Sequence, residues 1–334
     1  MKRIIAFLLL SLVLISVICC ASSCTENDNS DDKIKVVCTL FPQYDWVRNI
    51  VGSSNKIEVS LLISNGTDPH SYQPTAADIL TVTNCDVIIY TGSESDTWIK
   101  SALADDRYDG IVKIALSDIP SMKLHDISSS SGEHSHGEDD GHSHEHEDHE
   151  HGTLDEHVWL SIDNAVTATR HISETLCRLD RENEGKYIEN TEKYVSSLLT
   201  LDADFDTEIS KIDEDERFII FADRFPFIYL LSDYNVSFQA AFDGCSADVD
   251  ADFGTVLTLI KEADAHDVSC IAVSESSDKS LANTVISSAK RDDMKIVVLN
   301  SLQSITKQDI ENGASYISLM KKNLENILLA LKTN

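Results

Sequence analysis

Short β-branched runs alternate along the chain with stretches whose apolar residues recur every three or four positions. IKVVCT (34–39), IEVSLLI (57–63), DVIIYTG (86–92) and GIVKIAL (110–116) read as strands in the first half. RFIIFAD (217–223), NVSFQAAF (235–242), DVSCIAVSE (267–275) and MKIVVLNS (294–301) repeat the scheme in the second. The segments between them have helical spacing, as do 252–266, 277–291 and 308–332. Strand and helix in strict alternation predict βαβ units with mostly parallel sheets. Two strand-free helical stretches, 163–180 and 183–213, separate the halves. The second carries Tyr187, Tyr194, Leu198, Leu201 and Phe205 on one stripe, with Gly185 as its single glycine and no proline. At 1.5 Å per residue a helix of thirty residues spans about 45 Å, enough to run along two domains as a stiff hinge. The expected fold is α/β, with two Rossmann-like lobes joined by one long rigid helix.

The first segment has a different pattern. Lys2 and Arg3 precede an apolar run from Ile4 to Ile18, broken only by Ser11 and Ser16, and small residues follow. That is the layout of a secretory signal peptide, and the run is short for a membrane span. Ala21-Ser22-Ser23-Cys24 resembles the lipobox of bacterial lipoproteins, which makes Cys24 the expected acylated residue in preference to Cys19 or Cys20. Acyl chains would then hold the protein at the outer face of a bacterial cell membrane or in the periplasm. The expected organisation is a signal at 1–23, a tether at 24–32, a first lobe at 33–182, a linking helix at 183–213 and a second lobe at 214–334. Past Cys24 five thiols remain, Cys38, Cys85, Cys177, Cys245 and Cys270; they show no CxxC spacing and read as buried.

Composition narrows the function. Lys and Arg number 27 against 57 Asp and Glu, a formal net charge of −30. Such a chain offers no basic surface to displace phosphate counterions, so nucleic acid is excluded as a partner. It attracts cations instead. Of twelve His, eight fall between 125 and 151, in a stretch with no Lys or Arg. This stretch, 125–152, has no apolar period and is expected to be a disordered insertion. His134 and His136, then His142, His144 and His146, then His149 and His151 have the HxH spacing that lets neighbouring imidazoles share an ion. A loop of that kind captures several ions with modest affinity, because each capture orders the chain.

A selective site needs fixed ligands. His70 lies in NGTDPHSYQPT (65–75), stiffened by Pro69 and Pro74, and His157 lies in LDEHVWLSIDNA (154–165). Alone, each is more often a surface or core histidine than a ligand, and the two together in such turns shift the balance only toward even. His171 and His266 read as structural or exposed.

GTDPHSYQPTAADI, the acidic His-rich insertion and DEHVWLSIDNA together resemble the solute-binding lipoproteins of zinc and manganese ABC importers. TLFPQYDWVRNIVG (39–52) and IYTGSESDTWI (89–99) extend the likeness over nearly the whole chain. The resemblance implies a metal site in the cleft between the lobes, with His70 and His157 as its first two ligands. It also implies an ABC permease and its ATPase as partners, with a monomer delivering the ion. The second lobe departs from the pattern. Where the family offers a third His or a Glu, FADRFPFIYL (221–230) puts Ala222, and Asn300 stands near the usual acidic fourth position. Asp223, whose bland alternative is a structural pair with Arg224, and Glu275 are the carboxylates placed at strand ends, where open parallel sheets gather ligands. The expected set is therefore His70, His157, Glu275 and Asp223, a fair zinc site that manganese could also occupy. A surface metal buffer or adhesive lipoprotein without a transporter stays open. A zinc hydrolase is disfavoured by the lack of HExxH, GxSxG or triad spacing.

Overall fold

The computed structural model describes residues 33–126, 154–242 and 251–331. The signal segment, Cys24, the tether, Cys245 and the seven histidines from His134 to His151 lie outside the described residues.

The described residues from Ile34 onward form one compact unit. It is built on two four-stranded parallel sheets of the same winding. In the first, β1 (Ile34–Cys38) lies between β2 (Ile57–Leu61) and β3 (Val87–Tyr90), with β4 (Val112–Ala115) at the far edge. In the second, β5 (Phe218–Phe221) lies between β6 (Ser237–Ala240) and β7 (Cys270–Ser274), and β8 (Lys295–Leu299) closes the order. The central strands β3 and β7 are buried at every position, as expected of parallel strands covered on both faces.

The helices take their ends from local chemistry. Between β1 and β2 runs α1 (Phe41–Val51), with Pro42 in its first turn and Gly52 past its end at φ 59°. α2 (Ala76–Thr83) has a capping box: Thr75 accepts from the Asp78 amide, and Asp78 accepts from Thr75. After α3 (Thr97–Ala102), α4 (Ile162–Leu179) starts at Ser161, whose hydroxyl accepts from the Asn164 amide. The long helix α5 (Glu184–Ile209) has 26 residues, so it spans about 39 Å. It buries Tyr187, Thr191, Tyr194, Leu198, Leu201, Phe205 and Ile209, one face at steps of three and four. That face packs on α1 and α4 of the first lobe and on the last helix of the second.

The second half adds α6 (Ile228–Asp233), α7 (Phe253–Ala265) and α8 (Ser280–Ser288). The helical spacing of 308–332 resolves into two helices, α9 (Lys307–Glu311) and α10 (Tyr316–Leu331). The break falls where Gly313 takes φ 94°, a left-handed turn that a helix cannot include. The expected strand at 235–242 shortens to Ser237–Ala240, because Asn235 sits at φ 52°.

The lobes do not meet through α5 alone. One hydrophobic core runs from Trp46 and Trp159 in the first half to Tyr229 and Tyr316 in the second. Trp46 meets the Tyr316 ring edge-on, with ring centres 5.6 Å apart. Trp159 Nε1 donates to the Ser301 carbonyl at 2.8 Å, and the Tyr316 hydroxyl donates to the Trp159 carbonyl at 2.7 Å. The four described thiols, Cys38, Cys85, Cys177 and Cys270, are buried and unbridged. His266 stacks on Phe218 with ring centres 3.8 Å apart, and His171 is half-buried on α4.

Candidate metal centre

His70 sits in a single 3₁₀ turn, Pro69–Ser71, beyond the carboxyl end of β2. Asp68 fixes that turn by accepting from the His70 amide at 3.0 Å, and Pro69 presets its backbone. His157 sits just before the 3₁₀ turn Val158–Leu160, which leads into α4. Its ring is buried, and it leans on Trp159 with ring centres 5.2 Å apart. Residues 87 apart in the chain thus present their imidazoles to each other: the two Nε2 atoms are 3.4 Å apart, with the rings tilted by 50°.

The opposite ring nitrogens meet carboxylates. His157 Nδ1 lies 2.9 Å from Asp155 Oδ1, which also accepts from the His157 amide at 2.9 Å. His70 Nδ1 lies 3.3 Å from Ser95 Oγ and 3.5 Å from Glu156 Oε2. The hydrogen bond made by one ring nitrogen decides the state of the other. Protons held at both Nδ1 positions leave both Nε2 lone pairs facing across 3.4 Å, an arrangement that repels unless a cation lies between them. Two zinc–nitrogen bonds of 2.0–2.1 Å at the tetrahedral angle would separate the nitrogens by about 3.3 Å. The gap between the rings therefore has the dimension of a tetrahedral edge.

The second-lobe carboxylates are placed differently. Asp223, just past β5, accepts from the Ser274 amide at 3.1 Å and from the Ser274 hydroxyl, while its other oxygen accepts from the Arg224 amide at 2.9 Å. Glu275, just past β7, accepts from the Ser301 amide at 2.9 Å and the Ser301 hydroxyl at 2.6 Å. Glu275 and Asn300 line a cavity of about 390 Å³ with Ser304, Asp309 and Asn312, inside the second lobe. Asn300 Oδ1 accepts from the Leu302 amide, and Ala222 is buried. Among the described residues no group of three His, Cys, Asp or Glu side chains is gathered around one point. The structure brings His70 and His157 together and holds Asp223 and Glu275 each against a serine of their own lobe.

Sequence reasoning passed over four residues at this centre. Asp155 and Glu156 precede His157 directly, and their adjacency was the available signal. Ser95 comes from a separate loop and gave none. Arg224 is in sequence an alternative partner for Asp223, and its amide does donate to that carboxylate, while its guanidinium crosses to Asp68 of the other lobe at 2.8 Å. It so ties the His70 turn to the end of β5. The insertion leaves and rejoins the fold beside this centre: Asp126 bridges Leu154, and the Asp155 amide donates to the His125 carbonyl at 2.9 Å.

Comparison with known proteins shows the family and the fold. Residues 36–330 match the family model described as zinc-uptake complex component A, periplasmic. The high-affinity zinc uptake system protein ZnuA of Bacillus subtilis strain 168 is 30% identical over 308 residues, covering 92% of this chain and 91% of that protein. The zinc-binding lipoprotein AdcA of Streptococcus pneumoniae strain R6 is 29% identical over 303 residues; the alignment covers 91% of this chain but 57% of that relative's length. Its Zn(II)-bound ZnuA-like domain superposes with a TM-score of 0.69 at 25% identity, covering 90% of this chain and 100% of the domain. The periplasmic zinc-binding protein TroA of Treponema pallidum shares the fold, with a TM-score of 0.70 at 20% identity over 90% of this chain and 100% of TroA. No helix among the described residues is long and apolar enough to cross a membrane. With the family model spanning both sheets and both imidazoles, this chain belongs to the zinc-uptake complex component A family of solute-binding proteins.

Proposed function

We propose that the protein captures Zn2+ outside the cytoplasm and delivers it to an ABC permease driven by its ATPase. The observation that carries this reading is the pair of Nε2 atoms 3.4 Å apart, each backed at Nδ1 by a hydrogen-bonding acceptor. His70 and His157 hold the ion, and Glu275 and Asp223 complete its shell with oxygen from the second lobe. To do so each carboxylate must turn from its serine, giving up hydrogen bonds worth about 1.5–3 kcal/mol each. A shell that forms at such cost is also readily undone, which suits a carrier that must release its ion on docking. The protein acts as a monomer, acylated at Cys24 and held to the outer face of the membrane. The His-rich insertion gathers ions for the centre, since the described residues at its ends, Asp126 and Leu154, pair with each other three residues before His157. Two imidazoles with oxygen also suit Mn2+, so the cargo is tested directly.

The test is calorimetric titration with zinc and with manganese of the soluble form from Thr25, with and without residues 125–152, beside a His70→Ala, His157→Ala double variant. One tight zinc site should survive loss of the insertion and vanish in the double variant. Tighter manganese binding at that site would change the cargo and keep the carrier. Loss of tight binding with the insertion alone would make the protein a surface metal buffer.

A further inference from the structure

The two imidazoles are approached from behind by consecutive residues. Asp155 meets His157, and Glu156 meets His70, so one short segment touches both rings although the histidines come from different loops. Asp155 is buried and doubly tied, its carboxylate to His157 and its carbonyl to the Tyr229 hydroxyl at 2.9 Å. Glu156 works through an intermediary. Its Oε2 accepts from the Ser95 hydroxyl at 2.6 Å, and its Oε1 accepts from the Ser95 amide at 3.1 Å. The Ser95 proton is thereby committed to Glu156, which leaves the Ser95 oxygen as an acceptor toward His70 Nδ1 at 3.3 Å. An ionised carboxylate donates nothing, so the direction of this relay is set at its far end. It runs from His70 Nδ1–H to Ser95 and on to Glu156, and it leaves His70 Nε2 as a bare lone pair.

We infer that Glu156, acting through Ser95, is the positioning residue that holds His70 in its metal-binding tautomer and orientation, paired with Asp155 doing the same for His157. Neither carboxylate needs to touch the ion. Acceptors behind metal-bound histidines fix the tautomer and raise the basicity of the ring, and their loss commonly weakens metal affinity 10–100-fold. The segment matters more here than it would in a site rich in ligands. With Ala222 lacking a donor, the first lobe supplies both nitrogens, and affinity rests on how firmly these are aimed. This inference depends on the imidazole pair being the zinc site.

The experiment uses the full chain in detergent. Zinc affinity is measured by competition with a chelator, and cobalt(II) is titrated with its visible absorption followed as a report of ligand geometry. The His70→Ala, His157→Ala double variant supplies the background from all other sites, and the difference isolates the centre. Glu156→Ala should weaken that component 10–100-fold and alter the cobalt spectrum, and Glu156→Gln, which keeps an acceptor for Ser95, should recover much of the loss. Ser95→Ala should shift affinity in the same direction, and it carries the test if Glu156→Ala does not fold. A role limited to stability would lower the melting temperature of the metal-free protein and leave affinity and spectrum alone. Affinity within threefold of the parent with an unchanged spectrum in Glu156→Ala and Ser95→Ala would overturn the inference while the zinc site stands. A double variant that binds like the parent would remove the site itself, and this inference with it.

Discussion

Asp96 shows how one buried residue can shape the surroundings of the centre. It lies one position beyond Ser95, and its carboxylate accepts from the Thr91 amide at 2.6 Å and the Gly92 amide at 3.0 Å. Burial outweighs these bonds, and the negative Glu156 adds to it, so the carboxyl is pushed up from 3.8 to about 6. Because the folded value lies above the unfolded one, the contribution of this group to stability is full below about pH 4. It falls as pH rises through about 6, since the unfolded chain gives up its proton first. Asp96→Asn imitates the protonated form. Its stability relative to the parent should therefore rise between pH 4 and pH 7 by something on the order of 3 kcal/mol, because each tenfold change in proton affinity is worth about 1.4 kcal/mol. Urea denaturation of the metal-free proteins across that range would show it. Parallel curves for parent and variant would mean that Asp96 titrates alike in the folded and unfolded chain.

At the scale of elements, the loop carrying Ser95 and Asp96 depends on its first residue. Gly92 has φ 87°, and a Cβ there would lie 2.3 Å from the Ser117 hydroxyl and 2.9 Å from the Ala115 Cβ. The turn thus packs straight onto the end of β4, which is why Ser95 arrives under His70. Gly92→Ala combines a left-handed backbone penalty with overpacking and should destabilise the protein by roughly 2–4 kcal/mol. The same variant should weaken zinc binding, because Ser95 is displaced with the loop. Thermal melts with and without zinc measure both effects; full stability in Gly92→Ala would mean that the turn relaxes without strain. Gly313 acts differently, since nothing lies within 4 Å of its Cβ position. There backbone conformation ends α9, and Ser315 starts α10 by accepting from the Ser318 amide at 3.2 Å.

Taken whole, the molecule is stiffer than two lobes on a hinge. One hydrophobic cluster crosses between the halves, and several of the hydrogen bonds between them involve buried aromatic residues, among them Trp159 to Ser301, Tyr316 to Trp159 and Tyr229 to Asp155. Opening the lobes wide would expose these groups together. Unfolding should accordingly be a single cooperative transition, with tryptophan fluorescence and far-ultraviolet circular dichroism coinciding in urea. Trp159→Phe removes one donor and leaves the Ser301 carbonyl without its partner, a cost of about 1–3 kcal/mol. It should lower the midpoint while the transition stays single. Separate transitions for the two probes would mean that the lobes unfold independently. The Asp68–Arg224 pair, partly exposed on both sides, adds little to that stability but binds the His70 turn to the second lobe.

The parallel α/β architecture was legible in the sequence because strand and helix periods are local properties, set by which residues alternate and which recur at three and four. The turns of His70 and His157 stood out through their proline, acidic and aromatic neighbours, but only the resemblance those motifs carry marked the two as ligands, and it is the fold that sets their rings side by side. The break before α10 was not legible, since apolar spacing runs on through 308–332 while the positive φ of Gly313 and the Ser315 cap divide it. Nor were the occupations of Asp223 and Glu275, because their serine partners lie 51 and 26 residues away. Ser95 and Arg224 reach the centre across 25 and 156 residues, distances over which no periodicity carries information. Sequence alone determined the alternation of strand and helix and singled out the short motifs that carry the two imidazoles. Tertiary structure decided how far apart their nitrogens stand and which acceptors aim them, because those distances are set by packing between segments remote in the chain.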